Sequence, residues 1–275
     1  MKDVLKSCQL SNLFSSFHAR ARSKEVEKMK LGIVIPTRNE AENLRYTLPG
    51  IRHLYPNALI FLIDDMSDDG TIEIGREHGA IIPYTFKKRG LGRSYREGLA
   101  MAYYKYGCNV VIHLDADHPV EALPSFVKKL SKEEYDVAVG VDVKGKRLSR
   151  KVAVFLGRRF LGLKKFRHVT CGYMGYTKEF LEALNLRRIK SKGDGFHLEM
   201  LYEANRLGVK IAEVPFRGKR GRETRFLKIF DVSPKRVFSW LWTFTRLFVR
   251  RHTIDALKVL EKKALGEKAE TIEMV

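Results

Sequence analysis

Short β-rich runs alternate with longer helical stretches along much of the chain, and this alternation limits its fold more than any other feature. Leu31–Ile35, Leu59–Ile63, Ala80–Phe86, Val110–Leu114 and Val137–Val139 read as strands. Between them, Ala41–Leu54, Thr71–His78, Leu91–Tyr106 and Pro119–Leu130 read as helices. A β-α-β-α order predicts an α/β fold, a mostly parallel sheet with helices on both faces. Ligands of such sheets bind beyond the carboxyl ends of the strands, so the residues that directly follow each strand should carry the chemistry.

Pro36-Thr37-Arg38-Asn39-Glu40 follows the first strand, and Thr37 or Asn39 suits a helix cap. The second strand ends in Ile63-Asp64-Asp65-Met66-Ser67-Asp68-Asp69-Gly70-Thr71. Its four carboxylates lie within six residues and repel one another unless a cation, hydrogen-bond donors or open solvent absorb the charge. A polar turn accounts for Asp68, Asp69 and Gly70 better than for Asp64 and Asp65. The fourth strand runs into Asp115-Ala116-Asp117-His118-Pro119. Extended residues two apart project to one side, so Asp115 and Asp117 suit one hard cation, Mg2+ or Mn2+, with His118 as an extra ligand. Solvated loop acids are the plain alternative. In Lys88-Arg89-Gly90-Leu91-Gly92-Arg93-Ser94-Tyr95, a tyrosine stands where a dinucleotide fingerprint needs its third glycine, which argues against a dehydrogenase. A glycine-rich helix start beside cations still suits an anion.

Lys and Arg number 52 against 32 Asp and Glu, a net charge of +20 that points to an anionic partner: nucleic acid, an acidic membrane surface or a phosphorylated ligand. A hydrophobic content of 44% excludes disorder. The cations concentrate beyond Asp142, since no acid occurs before Glu179 while Lys144, Arg150, Arg158 and Arg167 all fall in that window. Cys8, Cys108 and Cys171 form no metal or disulfide pattern, which fits a reducing, cytoplasmic setting. No window approaches the ~18–20 apolar residues of a membrane span. Residues 1–30 carry no secretory signal and read as an extension, 31–230 as the α/β domain, and 231–275 as a C-terminal amphipathic helical segment.

Four motifs, taken in order, resemble family 2 glycosyltransferases of the Rossmann-like GT-A fold: Ile35-Pro36-Thr37-Arg38-Asn39-Glu40, Asp64-Asp65-x-Ser67-x-Asp69-Gly70-Thr71, Arg89-Gly90-Leu91-Gly92 and Asp115-Ala116-Asp117-x-Pro119. Within that family the chain is most similar to dolichyl-phosphate mannose synthases and related polyprenyl-phosphate sugar synthases. Thr170-Cys171-Gly172-Tyr173 and Glu213-Val214-Pro215-Phe216 extend the resemblance. It implies a nucleotide pocket of Pro36, Arg38, Glu40, Ile63 and Asp65, with Asp115 and Asp117 holding Mg2+ or Mn2+ on the diphosphate beside the Ala116 backbone. The chain departs from the family pattern at Arg38, where a tyrosine is usual, and in the Asp-Ala-Asp motif, which reaches Pro119 two residues early, so that the usual third ligand is missing and His118 is the candidate substitute.

An ionised lipid phosphate needs no strong general base as acceptor, so electrostatic positioning is enough. Arg150, Arg222 and Arg225 are the candidate phosphate clamps, and Asp194, within Gly193-Asp194-Gly195, is a reserve base or a surface-turn residue. An apolar stripe of Val237, Trp240, Leu241, Phe244, Leu247 and Phe248 packs on the core or meets an anionic membrane surface or a membrane-embedded partner subunit. The expected function is metal-dependent, inverting transfer of a hexose from GDP-mannose or a UDP-sugar to polyprenyl (dolichyl) phosphate, on the cytoplasmic face of the membrane. A soluble hydroxyl acceptor is the alternative. A basic nucleic-acid-binding protein is a second alternative, disfavoured by the acidic strand ends.

Overall fold

In the computed structural model, the described residues are 29–84, 90–143, 148–164, 166, 167, 169, 171–193, 195–218 and 237–254, with the backbone alone at 148–150. The larger of two units, Lys28–Thr243, holds the sheet. The described residues of the other are 244–254, a continuation of the last helix.

Six strands form one sheet: β1 Leu31–Thr37, β2 Leu59–Asp64, β3 Val110–His113, β4 Val137–Asp142, β5 Met174–Thr177 and β6 Ile211–Phe216, in the order β2-β1-β3-β5-β4-β6. All pairings are parallel except those of β5, which runs against β3 and β4. The helices are α1 Ala41–Leu54, α2 Thr71–Glu77, α3 Leu91–Ala100, α4 Leu123–Ser131, α5 Leu148–Phe160, α6 Lys178–Leu184 and α7 Gly195–Leu207. A last helix, α8, spans 237–254.

Every residue of β1 is buried, the unbroken apolar reading expected of a strand covered on both faces. On one face Ile33, Ile35, Ile60, Leu62 and Ile112 join Leu44, Leu48 and Ile51 of α1 and Phe126 of α4 in the main core. Leu44, Leu48 and Ile51 recur at the spacing of one helical face, which is why α1 docks along a single stripe. The opposite face is covered by α3, whose Tyr95 meets His113 of β3 ring to ring.

The Ala80–Phe86 run does not form the expected strand: its described part makes a single parallel bridge, Ile81 to Phe61, and 85–89 lie outside the described residues. Ile81 pairs with β2 through its amide to Ile60 O (2.7 Å) and its carbonyl from Leu62 N (3.0 Å), but Pro83 has no amide hydrogen to extend the ladder and Tyr84 is exposed, so the pairing goes no further. The helix expected over Leu91–Tyr106 is α-helical only to Ala100 and continues as a π-turn over Met101–Lys105. Among the described residues no helix is long and apolar enough to cross a membrane.

Candidate active site

The carboxyl ends of β1, β2 and β3 open onto a cleft of about 450 Å³. Pro36, Thr37, Arg38 and Glu40 come from the end of β1, Asp65 from the end of β2, and Asp115, Ala116 and Asp117 from the end of β3. Gly90, Leu91 and Ser94, at the start of α3, close the remaining wall.

The acidic turn after β2 is mostly architecture. Asp64 is buried and accepts from the hydroxyls of Thr37 (3.1 Å) and Ser67 (2.5 Å) and from the Ser67 amide (2.9 Å). Asp69 takes the Ala41 amide at the start of α1 (3.0 Å) and the Thr71 amide at the start of α2 (3.1 Å), so one carboxylate caps two helices. Partial desolvation works to raise the Asp69 carboxyl, but the bonds from Thr71 and Ala41 outweigh it and hold it below the usual carboxylate range. Asp64 is therefore explained by local hydrogen bonds, and Asp65 alone of this cluster lines the cleft.

Glu40 faces the opposite balance. Burial raises its carboxyl above the ordinary value; a bond from Asn43 Nδ2 (2.6 Å) opposes this, and the charges of Asp117, Asp115 and Asp69 add to it. An excess of negative charge in a partly closed cleft is what a divalent cation relieves. Asp115, Asp117 and His118 each offer a ligand atom, all within 4.8 Å of one another. The Nδ1 atom of His118 already accepts the Asp115 amide (2.9 Å), so ligation through that nitrogen has to open this bond, and the two carboxylates are the freer ligands. The donor set is oxygen-rich with open positions, which fits Mg2+ or Mn2+ better than a thiolate-seeking metal.

The loop that carries these ligands is braced from behind. The Thr47 hydroxyl of α1 donates to the Ala116 carbonyl at 2.6 Å, with both residues buried. Gly172, just before β5, leaves room for Asp115: a Cβ there would stand 2.5 Å from Oδ2.

The model of the family described as "Glycosyl transferase family 2" matches residues 32–183, which include every residue lining this cleft. The chain belongs to glycosyl transferase family 2. As a glycosyltransferase it is 33% identical over 202 residues to the undecaprenyl-phosphate mannosyltransferase of Micrococcus luteus, covering 68% of this chain and 82% of that protein. It is 30% identical over 200 residues to the polyprenol monophosphomannose synthase of Mycolicibacterium smegmatis, covering 66% and 75%. With the dolichol-phosphate mannosyltransferase of Pyrococcus furiosus it shares 29% over 247 residues, 83% of this chain and 66% of that one. In fold it is similar to the glucosyl-3-phosphoglycerate synthase of Mycobacterium tuberculosis crystallised with Mn2+, UDP and glucosyl-3-phosphoglycerate, with a TM-score of 0.64 and 18% identity over 79% of this chain and 81% of that one.

Among the residues named from sequence, the glycosyltransferase brings Pro36, Arg38, Glu40, Asp65, Asp115, Ala116 and Asp117 to one cleft, with His118 beside them. Ile63 is not there: it is wholly buried and points at Gly98 of α3, because strand alternation turns it inward. Asp194, Arg222 and Arg225 lie outside the described residues, as does the side chain of Arg150. The start of α3 has fewer free donors than an anion cradle needs: Lys192 O accepts the Gly92 amide (3.0 Å), and Asp65 faces the Gly90 amide at 3.4 Å. A Cβ at Gly92 would stand 2.6 Å from Ser191 O, so this wall is pressed against loop 189–193. That loop is fixed by the buried Glu199, which accepts from the Ser191 amide (2.8 Å) and hydroxyl (2.6 Å), and by Ser191 Oγ against Thr243 Oγ1 of α8 (3.1 Å).

Thr37, Ser94, Tyr95 and Gly172 were not singled out from the sequence as site residues. Tyr95 donates to Asp115 Oδ1 from beneath the cleft. The available signal was a hydroxyl on the buried Ser94-Tyr95-Gly98-Leu99 face of α3, since a buried phenol needs a partner.

Proposed function

We propose that this glycosyltransferase moves a hexose from a nucleotide-diphosphate sugar, GDP-mannose or a UDP-sugar, to a polyprenyl (dolichyl) phosphate with inversion, using Mg2+ or Mn2+. The observation that carries the reading is the juxtaposition of Asp115 and Asp117 with Pro36, Arg38, Glu40 and Asp65 in one cleft. The names of the relatives from Micrococcus luteus, Mycolicibacterium smegmatis and Pyrococcus furiosus support the lipid phosphate as acceptor and mannose as the sugar.

Asp115 and Asp117 hold the cation, and Pro36, Arg38, Glu40 and Asp65 bind and orient the nucleotide. The cation, when bound, supplies neutralisation of the departing diphosphate without a proton transfer. An oxygen of the acceptor phosphate forms the new bond to the anomeric carbon; the bond from that carbon to the diphosphate breaks, and its electron pair leaves with the nucleoside diphosphate. The acceptor is already ionised, so no side chain has to remove a proton. Arg150, Arg222 and Arg225 are proposed to hold the acceptor phosphate in line, with Asp194 as the base in reserve for a hydroxyl acceptor.

Access to a lipid is proposed through exposed apolar side chains. Ser239 and Thr243 turn one face of α8 against Gly193 and Gly195, leaving Phe238 (70% exposed) and Trp242 (66%) outward. On α5, Phe155 is 63% exposed, beside the exposed Arg158 and Arg159. Aromatic side chains next to cations suit an anionic membrane surface on its cytoplasmic face, or a membrane-embedded partner subunit.

Calorimetry with GDP-mannose, UDP-glucose and UDP-N-acetylglucosamine, with and without Mn2+, tests the donor. One of them should bind only with the cation. Transfer to a polyprenyl phosphate in anionic vesicles should follow and be lost in Asp117→Asn. Unchanged transfer by that variant, or transfer to soluble acceptors only, refutes the proposal.

A further inference from the structure

Asp115 is held at two points and given room at a third. Its amide donates to His118 Nδ1, its Oδ1 accepts from the Tyr95 hydroxyl, and the missing side chain at Gly172 gives Oδ2 its space. Among the described residues the phenol is the only side-chain donor to this carboxylate, and it comes from the opposite side of the sheet to the core around α1.

The phenol is itself immobilised. Tyr95 is wholly buried, its ring 4.4 Å from that of His113, stacked on Phe196 at 5.2 Å and 15°, and edge-on to His197 at 4.9 Å. His113 contributes shape rather than proton chemistry: it is fully buried, neither of its ring nitrogens has a hydrogen-bond partner, and burial, with His197 and His118 nearby, keeps the imidazole well below its ordinary pKa. A ring held on three sides can present its hydroxyl at one place only. That place is a carboxylate whose side chain is 42% exposed, so the bond runs from the packed interior to the rim of the cleft.

We propose that Tyr95 is the positioning residue of the cation site, committing one oxygen of Asp115 to the protein and leaving the other for the ion. This rests on the reading of Asp115 and Asp117 as cation ligands and goes beyond it, because it gives a residue twenty positions earlier, on another element, control of cation affinity. Outer partners of metal-ligating groups typically change affinity by about 10–100-fold when removed.

The test is calorimetric titration of the full chain with Mn2+ alone, without donor or acceptor. Tyr95→Phe keeps the ring and removes the oxygen, and should bind Mn2+ about 10–100-fold more weakly. Gly172→Ala displaces the same carboxylate from its other side and should also weaken binding. Tyr176→Phe is the control: Tyr176 is wholly buried in the same aromatic cluster, but its hydroxyl faces Met174 Sδ at 3.5 Å, and the variant should bind as the parent does. In the parent, saturation with Mn2+ should also perturb the ultraviolet absorption of a tyrosine, a signal that needs no variant to fold and that Tyr95→Phe should lack. Native affinity in Tyr95→Phe, an equal loss in Tyr176→Phe, or a parent that binds Mn2+ with no tyrosine signal overturns the proposal. A parent that binds no Mn2+ overturns the cation reading itself, and this inference with it.

Discussion

Thr47→Val removes one hydroxyl hydrogen bond and almost nothing else, and so measures how firmly the loop between the two acidic ligands is held. The hydroxyl lies 2.6 Å from the Ala116 carbonyl, with Thr47 2% and Ala116 3% exposed, so solvent is not available to replace the lost donor. Valine keeps the shape, which leaves the unsatisfied acceptor as the main cost, about 1–3 kcal/mol. For a domain of this size class, each kcal/mol shifts the melting midpoint by roughly 2–4 °C, so a fall of roughly 2–12 °C is expected. Thr47→Ser restores a donor at the same backbone position and should recover much of the loss. Urea unfolding of the three proteins in EDTA, followed by circular dichroism, gives the free energies directly. A Mn2+ titration then shows whether a loosened Ala116 also misplaces Asp115 and Asp117. Equal stability of Thr47→Val and the parent would refute the reasoning, because it would mean the carbonyl does not depend on this bond.

Glu40→Gln tests the charge balance of the cleft. Burial, aided by Asp117, Asp115 and Asp69, lifts the Glu40 carboxyl above its ordinary 4.5, so in the metal-free protein the folded state holds that proton more tightly than the unfolded chain. Its contribution to stability is complete below pH 4.5 and is lost as pH rises through the raised value; the stability of Glu40→Gln relative to the parent should rise across that window, measured by urea midpoints at stepped pH in EDTA. Glu199→Gln replaces a wholly buried carboxylate that accepts the Ser191 amide and hydroxyl, and should cost about 1.5–3 kcal/mol by the same assay, the range for a hydrogen bond to a charged group. Phe238→Ser with Trp242→Ser should reduce co-sedimentation with anionic vesicles while leaving calorimetric Mn2+ binding intact, since both side chains point outward.

The sheet and the acidic cleft are legible in the chain because strand periodicity and strand-end position are local signals. Asp115 and Asp117 stand out since Val110–His113 announces the strand they follow. Asp64 and Asp65 are adjacent and look alike in sequence; one is consumed by Thr37 and Ser67 and the other faces the cleft, a distinction made by the pleat and by neighbours 27 residues away. Gly172 shows in the sequence only within the Thr170-Cys171-Gly172-Tyr173 motif, and its place beside Asp115 is illegible for a topological reason: β5 runs antiparallel, so its beginning rather than its end reaches the cleft rim. In the sequence, Tyr95 shows only as the residue that spoils a dinucleotide fingerprint. Its bond to Asp115 joins α3 to the end of β3, and no local pattern encodes such a meeting.

The packing of α8 bears on how much chain a working enzyme requires. A Cβ at Gly193 would stand 2.8 Å from Ser239 Oγ, and one at Gly195 would stand 2.3 Å from Thr243 Oγ1, so the first turns of α8 lie nearly flush against the backbone that supports Gly92. A polypeptide trimmed to end after β6 retains every residue lining the cleft, yet it loses the proposed clamps Arg222 and Arg225 and strips the cover from that backbone. It is expected to behave as a damaged enzyme rather than a minimal one, and a better place to cut lies within the helix, beyond Thr243.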